Sequence, residues 1–558
     1  MVKGQSVVSD SKRSTGDQFH FSASGRKRRL GAWYTPDDVV GQLLDLTLTP
    51  LLIERRVLGL DAVAALRVLD PSCGDGAFLV AAADRIYRTL VEMGLEHTEA
   101  LRTAYGCCVV GVDVDPLAVD RCRHRLGEAG ATAPDSRVVV ADALLTSSDE
   151  WSDLLERWDT PAGVTAVIGN PPFLNPLAAD TAADPNRAVA LRQRFGSVAQ
   201  GYSNPAFMFL VLATELAASR NSVVALIQPL SLLATRGSTA SRAAVLENWT
   251  LDTLWVANQR VFDASVDVCA PVLRPRGESD LGSGLTKLLA GRSFHPVGTV
   301  PSPSSDDATW SRLLATVRDV PDVPIATDGI LGDDAIATAD FRDQYYGLDG
   351  QIVELPSSDR SMPRLLTAGL VDPAHDRWGE TTTRFHKNSW HHPRVRLDGL
   401  SDDLRRWVDS RLVPKVVVAT QTRVLEAVVD SDGSCLPSVP LVTITPRSDK
   451  PKTDLWHIAA LLTSPPATMV AARRHLGAAL TTDGLKLRAR DLAALPRPHD
   501  HASWHEAAKA FQRASDSDDQ TRRKEGLVRC GRLMCTAFGV ADFEHLLAWW
   551  VGRLPGQN

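Results

Sequence analysis

The string Asn170-Pro171-Pro172-Phe173 follows the apolar run Val167-Ile168-Gly169. An amino group on an aromatic base, such as that of adenine, is a poor nucleophile because its lone pair is delocalised into the ring. Two acceptors on its two hydrogens can draw the nitrogen toward tetrahedral geometry and free that pair. The side-chain oxygen of Asn170 and the backbone carbonyl of Pro171 could be those acceptors. Pro172 restricts Pro171 to an extended conformation, which aims its carbonyl. Phe173 could stack on the base, an interaction of ~1–3 kcal/mol that tolerates any base. The competing reading of the same residues is a stiff Pro-Pro turn.

Three further motifs precede it. Asp70-Pro71-Ser72-Cys73-Gly74-Asp75-Gly76 reads as a turn from a strand into a helix, where glycine lets a ligand approach the backbone. Val110-Gly111-Val112-Asp113 ends in an acid placed to accept hydrogen bonds from both hydroxyls of a ribose. The same acid could instead cap the helix expected from Pro116. Val139-Val140-Ala141-Asp142 ends in another carboxylate, which could accept from the exocyclic amine of a bound adenine ring.

The elements that must position these residues are short apolar strands: Leu66–Leu69, Cys108–Val112, Arg137–Val140, Ala166–Ile168 and Ser222–Ile227. They alternate with helix-like stretches, which predicts an α/β domain with a mainly parallel sheet. Their apolar character on both faces predicts helices on both sides. The polar stretch 1–28 reads as a tail, 29–275 as the catalytic domain, and the Gly-, Ser-, Pro- and Asp-rich stretch 276–307 as a linker. Residues 308–500 read as a second domain of irregular pattern, and 501–558 as a helical C-terminal segment.

With 558 residues, 44% hydrophobic and 23% charged, the composition excludes a wholly disordered, collagenous or coiled-coil protein. No apolar run is long enough to cross a bilayer as a helix, and no secretory signal is expected at the start. Eight cysteines without paired spacing predict neither a disulfide framework nor a zinc site, so the expectation is a reduced, cytoplasmic protein without a metal. His386, His391 and His392 have no carboxylate or Cys spaced to share a metal with them. The net charge of −6 does not by itself suggest nucleic acid, but Asp376–Asp500 carries 19 Lys and Arg against 14 Asp and Glu.

Taken in order, Trp33-Tyr34-Thr35-Pro36, the Gly-rich turn, Asp113, Asp142 and Asn170-Pro171-Pro172-Phe173 resemble a class I S-adenosylmethionine-dependent DNA methyltransferase of the gamma, N6-adenine type, similar to Taq-type enzymes. The resemblance covers about 31–500. It implies a Rossmann-like catalytic domain followed by a mixed α/β target-recognition domain. It further implies Asn170, Pro171, Pro172 and Phe173 as the catalytic set. The implied cofactor-binding set is Thr35, Asp70, Gly74, Gly76, Asp113, Val114, Asp142 and Phe209. Phe262 is implied against a base flipped from duplex DNA, which the amine's burial in the stack requires. Leu412–Val418, Pro440–Ile444, Leu455–Pro465, Gly484-Leu485-Lys486 and Leu495–Pro498 resemble the recognition domain of these enzymes.

Exposed cations in that domain should hold phosphates and read base edges. The candidates are Arg384, Lys387, Arg394, Lys415, Arg423 and Lys486. The expected partners are double-stranded DNA and restriction or phage-defence proteins. Two alternatives are an RNA-base or protein-glutamine methyltransferase and a DNA-binding subunit without catalysis. Thr35-Pro36 and the large second domain disfavour the former, and the intact Asn170 and Asp113 motifs the latter. A fused nuclease upstream is not expected, because the Gly-rich turn begins near residue 69.

Overall fold

The computed structural model describes residues 35–129, 137–173, 185–200, 203–258, 261, 267–277, 284–340, 342–447, 453–478 and 483–556. The chain divides into two compact units, Met1–Ala308 and Thr309–Asn558.

The first unit is built on strands β1 (Val68–Asp70), β2 (Val109–Asp113), β3 (Val138–Val140), β4 (Ala166–Gly169), β5 (Val223–Leu226), β6 (Gln228–Pro229), β7 (Trp249–Val256), β8 (Val268–Pro275), β9 (Leu285–Ala290) and β10 (His295–Pro301). They form one sheet in the order β10-β9-β7-β8-β5-β4-β1-β2-β3, with β6 beside β8. From β3 to β5 every pairing is parallel, whereas β8 runs antiparallel to both β5 and β7. This is the Rossmann-like α/β architecture expected from the alternating pattern. Strands β1, β4 and β5 are buried throughout, as strands with helices on both faces must be.

Local signals start the helices that complete the unit. Asp115 caps the helix Pro116–Glu128 through Leu117 N at 3.1 Å, with Pro116 at its first position. Ser147 and Glu150 form a reciprocal capping box on Ser148–Arg157. The helix Ala77–Glu92 buries Phe78, Leu79, Ala82, Ala83, Ile86 and Leu90, a stripe at three- and four-residue spacing. In Pro205–Leu216 the run Ala206–Ala213 is buried on all sides, so the body of this helix is internal.

One expectation is corrected here. Residues 276–307 are not a linker, because β9 pairs parallel with β7 and β10 forms a hairpin on β9. Leu285–Ala290 alternates half-buried with buried residues, the mark of a strand with one covered face. Its Gly and Pro content belongs to turns and to an edge strand, not to a flexible connector.

The second unit holds β11 (Thr327–Ile330), β12 (Ala335–Ala339), β13 (Ile352–Glu354), β14 (Arg364–Leu366), β15 (Val371–Asp372), β16 (His375–Asp376), β17 (Thr383–Phe385), β18 (Asn388–Trp390), β19 (Pro393–Val395), β20 (Lys415–Ala419), β21 (Glu426–Asp430), β22 (Cys435–Pro437), β23 (Val442–Pro446) and β24 (Pro496–Pro498). Two four-stranded sheets, β12-β23-β20-β21 and β13-β19-β14-β22, dominate it, and β15–β16 and β17–β18 are separate two-stranded ribbons. The helices His501–Ser515, Gln520–Ala537 and Glu544–Val551 belong to this unit. Trp504, Phe511, Phe538 and Trp550 are fully buried, and Trp504 Nε1 donates to the His457 carbonyl at 2.9 Å. Among the described residues, no helix is long and apolar enough to cross a membrane, and all eight cysteines are free.

Candidate active site

The parallel strands spread in opposite directions from β1 and β4, with β2 and β3 on one side and β5 on the other. In open α/β sheets ligands bind beyond the carboxyl ends of the strands at such a reversal. Asp70 ends β1, Asp113 ends β2, Asp142 follows β3, and Asn170 follows β4. Four separate stretches of sequence thus bring their polar residues to one edge of the sheet.

The Gly-rich turn is held open from behind. Gly74 and Gly76 both have positive φ, 55° and 85°. A Cβ at Gly74 would meet open space, whereas one at Gly76 would lie 2.6 Å from Cys122 Sγ. The turn is braced by Arg125, whose guanidinium donates to the Asp75 carbonyl at 2.9 Å and lies 3.4 Å from its carboxylate. Asp113 ties the turn to β2: Gly74 N donates to Oδ2 at 2.8 Å and Asp115 N to Oδ1 at 2.9 Å. Each oxygen has one backbone donor and can accept another bond. Burial pushes the Asp113 carboxyl up, against the backbone bonds from Asp115 and Gly74.

Asp70 is buried beneath this turn, and its Oδ1 accepts from Ser72 N at 3.0 Å. Burial pushes its carboxyl up to about 7; the Ser72 bond opposes this, and the nearby Asp113 charge adds to it. Glycine at 169 makes room for it, since a Cβ there would meet Asp70 Oδ1 at 2.4 Å. Val114, directly after Asp113, is 53% exposed. Asp142 is not free: Arg187 forms an ion pair with Oδ2, and Leu144 N donates to Oδ1 at 3.2 Å.

At the end of β4, Asn170 Nδ2 donates to Thr35 Oγ1 at 3.0 Å. The Thr35 side chain is buried, and the bond spans 135 residues of sequence. It uses the amide nitrogen and leaves Asn170 Oδ1 buried without a hydrogen-bond partner among the described residues. An unsatisfied buried acceptor costs about 1–3 kcal/mol, a cost that a bound donor would relieve. Pro171 is buried and Pro172 half-buried, while Phe173 is 8% exposed within the core cluster of the unit. Phe209 is likewise buried, on the internal helix. Phe262, with Trp33 and Tyr34, lies outside the described residues.

The structure therefore brings together Thr35 with Asn170, and Gly74 with Asp113, and sets Asp70 beneath them. It also adds residues that motif reading missed: Arg125 as the brace of the turn, Arg187 on Asp142, and Gly169 as the space for Asp70. Only Gly169 carried a signal, as the residue immediately before Asn170.

The cations expected on DNA divide sharply. Arg384, Lys387, Arg423 and Lys486 are exposed. Lys415 is corrected: it is fully buried in β20, ion-paired with Asp430, and cannot reach a phosphate. Arg394 is corrected too. It is 4% exposed, donates to the Met362 carbonyl at 2.7 Å, and stacks over the Trp378 ring at 4.9 Å.

Residues 19–278 match the model of the N-6 DNA methylase family. A type II methyltransferase of Geobacillus stearothermophilus, M.BstVI, is 29% identical over 157 residues, 26% of this chain and 25% of that protein. The adenine-specific methyltransferase PglX of Streptomyces coelicolor is 25% identical over 205 residues, 29% of this chain and 16% of that protein. The chain thus matches a quarter or less of the length of these curated relatives. The solved structure of the type IIL restriction-modification enzyme MmeI in complex with DNA superposes with a TM-score of 0.57 at 14% identity, covering 95% of this chain and 79% of that one, which is a likeness of fold. The part of the chain that matches the N-6 DNA methylase family model is thus the part that carries the Gly-rich turn, Asp113 and Asn170.

Proposed function

We propose that the chain transfers a methyl group from S-adenosylmethionine to N6 of an adenine flipped out of duplex DNA, as the modification component of a restriction or phage-defence system. The observation that carries this reading is the buried, unpartnered Oδ1 of Asn170 at the end of β4. Thr35 holds the amide by its nitrogen, so among the described residues the oxygen is left able to accept from a bound base. An adenine amine supplies two N–H donors, one for Oδ1 and one for the Pro171 carbonyl. With both hydrogens so held, the lone pair is released from the ring and the nitrogen can attack.

The residues at the ends of β1 and β2 fit the cofactor. The open backbone at Gly74 admits the methionine part, and the Asp113 carboxylate retains acceptor capacity for the ribose hydroxyls. Exposed Val114 offers a surface for the adenine ring. Bound S-adenosylmethionine supplies the electrophilic methyl group. Asp142, with Arg187 on Oδ2 and Leu144 N on Oδ1, keeps acceptor capacity on Oδ1 for the cofactor's amine.

The test is incubation of the full chain with labelled S-adenosylmethionine and random-sequence duplex DNA, followed by nucleoside mass spectrometry. N6-methyladenine is expected from the native chain. Asn170→Ala should lose at least a hundredfold in turnover with cofactor affinity within about twofold, because the missing amide acts on the target amine and, through Thr35, on its own placement, not on the cofactor. Near-native turnover of Asn170→Ala, or a methyl group on another atom, would overturn the mechanism.

A further inference from the structure

The ribbon β17–β18 pairs Thr383 with Trp390, Arg384 with Ser389 and Phe385 with Asn388. Its two-residue turn is His386-Lys387, with φ of 47° and 67°. Two-residue hairpin turns with positive φ at both positions ordinarily take Asn-Gly or Gly-Gly. Placing His and Lys there costs about 1 kcal/mol or more at each position. Such strain persists only where surrounding structure compels it, and it points to a use.

What compels it is Tyr345. His386 N donates to Tyr345 Oη at 3.2 Å, and His386 Nε2 donates to the Tyr345 carbonyl at 2.6 Å. The two rings stack with centroids 4.3 Å apart. Phe385, 2% exposed, packs into a core cluster with Leu365, Val395 and Leu436, and Trp390 Nε1 donates to the Phe385 carbonyl at 3.2 Å. One face of the ribbon is therefore fixed to the unit.

The alternation of side chains puts the opposite face outward. Arg384 and Ser389 stand directly across from each other on it, both exposed, and Lys387 and Asn388 are exposed at the tip. Among the described residues, neither Arg384 nor Lys387 has an ion-pair partner. A rigid two-stranded ribbon with outward polar side chains and a cationic tip has the dimensions of the DNA major groove, which admits such a ribbon. A guanidinium there can donate both bonds to O6 and N7 of guanine, and a lysine at the tip meets phosphate.

We infer that β17–β18 is the sequence-reading ribbon of the second unit, with Arg384 and Ser389 facing base edges in the major groove and Lys387 on the backbone. This rests on the reading of the chain as a DNA methyltransferase.

The experiment determines the methylated motif of the full-length native chain and of Arg384→Ala, Ser389→Ala and Lys387→Ala on a randomised duplex library, with binding measured across salt concentrations. Arg384→Ala should relax the motif at one position, with cognate affinity weakened about ten- to a hundredfold at an unchanged melting temperature. Lys387→Ala should weaken all sequences alike and reduce the salt slope by about one. If the native chain methylates a defined motif and both Arg384→Ala and Ser389→Ala keep that motif with native affinity, the ribbon assignment is overturned while the parent function stands. If the native chain methylates no DNA, the parent function fails and takes this assignment with it.

Discussion

The hydrogen bond between Thr35 and Asn170 joins two motifs that lie 135 residues apart, and it changes what Thr35 is for. The family resemblance assigns this threonine to the cofactor. Its partner in the structure is instead the amide of Asn170, proposed above to hold the target amine, which makes Thr35 a positioning residue in that proposal. Removing one neutral hydrogen bond costs about 0.5–1.5 kcal/mol, which corresponds to roughly two- to thirteenfold in rate if it acts in the transition state. Thr35→Val should lower kcat by about that factor and leave the cofactor dissociation constant unchanged, and Thr35→Ser should restore kcat. Steady-state kinetics with a cofactor titration checks this. A loss of cofactor affinity at constant kcat would return Thr35 to the cofactor.

Among the elements, β20 and β21 show how a charged residue can belong to a core. Lys415 Nζ and the Asp430 carboxylate pair in the interior, with side chains 0% and 4% exposed. Burial pushes the Asp430 carboxyl up, but the Lys415 ammonium and the Cys435 contacts outweigh it and hold it below its usual range. Breaking a buried pair from one side leaves an uncompensated charge and costs about 3–5 kcal/mol. Lys415→Ala should therefore lower the urea midpoint strongly, whereas a lysine on DNA would leave stability untouched and weaken binding. Equilibrium unfolding and a DNA-binding titration on the same preparation distinguish the two.

For the whole molecule, buried acids make stability depend on pH in a window above the ordinary carboxylate range. Glu426 on β21 is 9% exposed, and burial, aided by Asp372, pushes its carboxyl from 4.5 up to about 8. The folded chain therefore holds this proton more tightly than the unfolded chain. Its contribution is present in full below about 4.5 and is lost as pH rises toward 8. The carboxylates that are lowered in the fold, such as Asp38 and Asp500, titrate below this window and do not mask it. Glu426→Gln should gain melting temperature relative to the native chain progressively between pH 5 and pH 9. Thermal melts across that range should diverge; parallel curves would mean that Glu426 ionises at its ordinary value.

The sequence by itself determined the first unit's frame. Apolar runs of strand length ended in Asp70, Asp113, Asp142 and Asn170, and a chain of this pattern has one economical way to bury such strands, a parallel sheet covered by helices. Because ligands meet such sheets at the strand ends, the candidate site was legible along with the fold. Tertiary structure alone decided what each side chain touches. That Thr35 binds Asn170, that Arg187 occupies Asp142, and that Gly169 must lack a Cβ beside Asp70 are facts about long-range approach that local spacing does not encode. The same cause explains the expectations that failed in both units. Lys415 and Arg394 look like surface cations in a sequence, and the stretch 276–307 looks like a linker. Burial and strand pairing depend on neighbours that arrive only when the chain is folded.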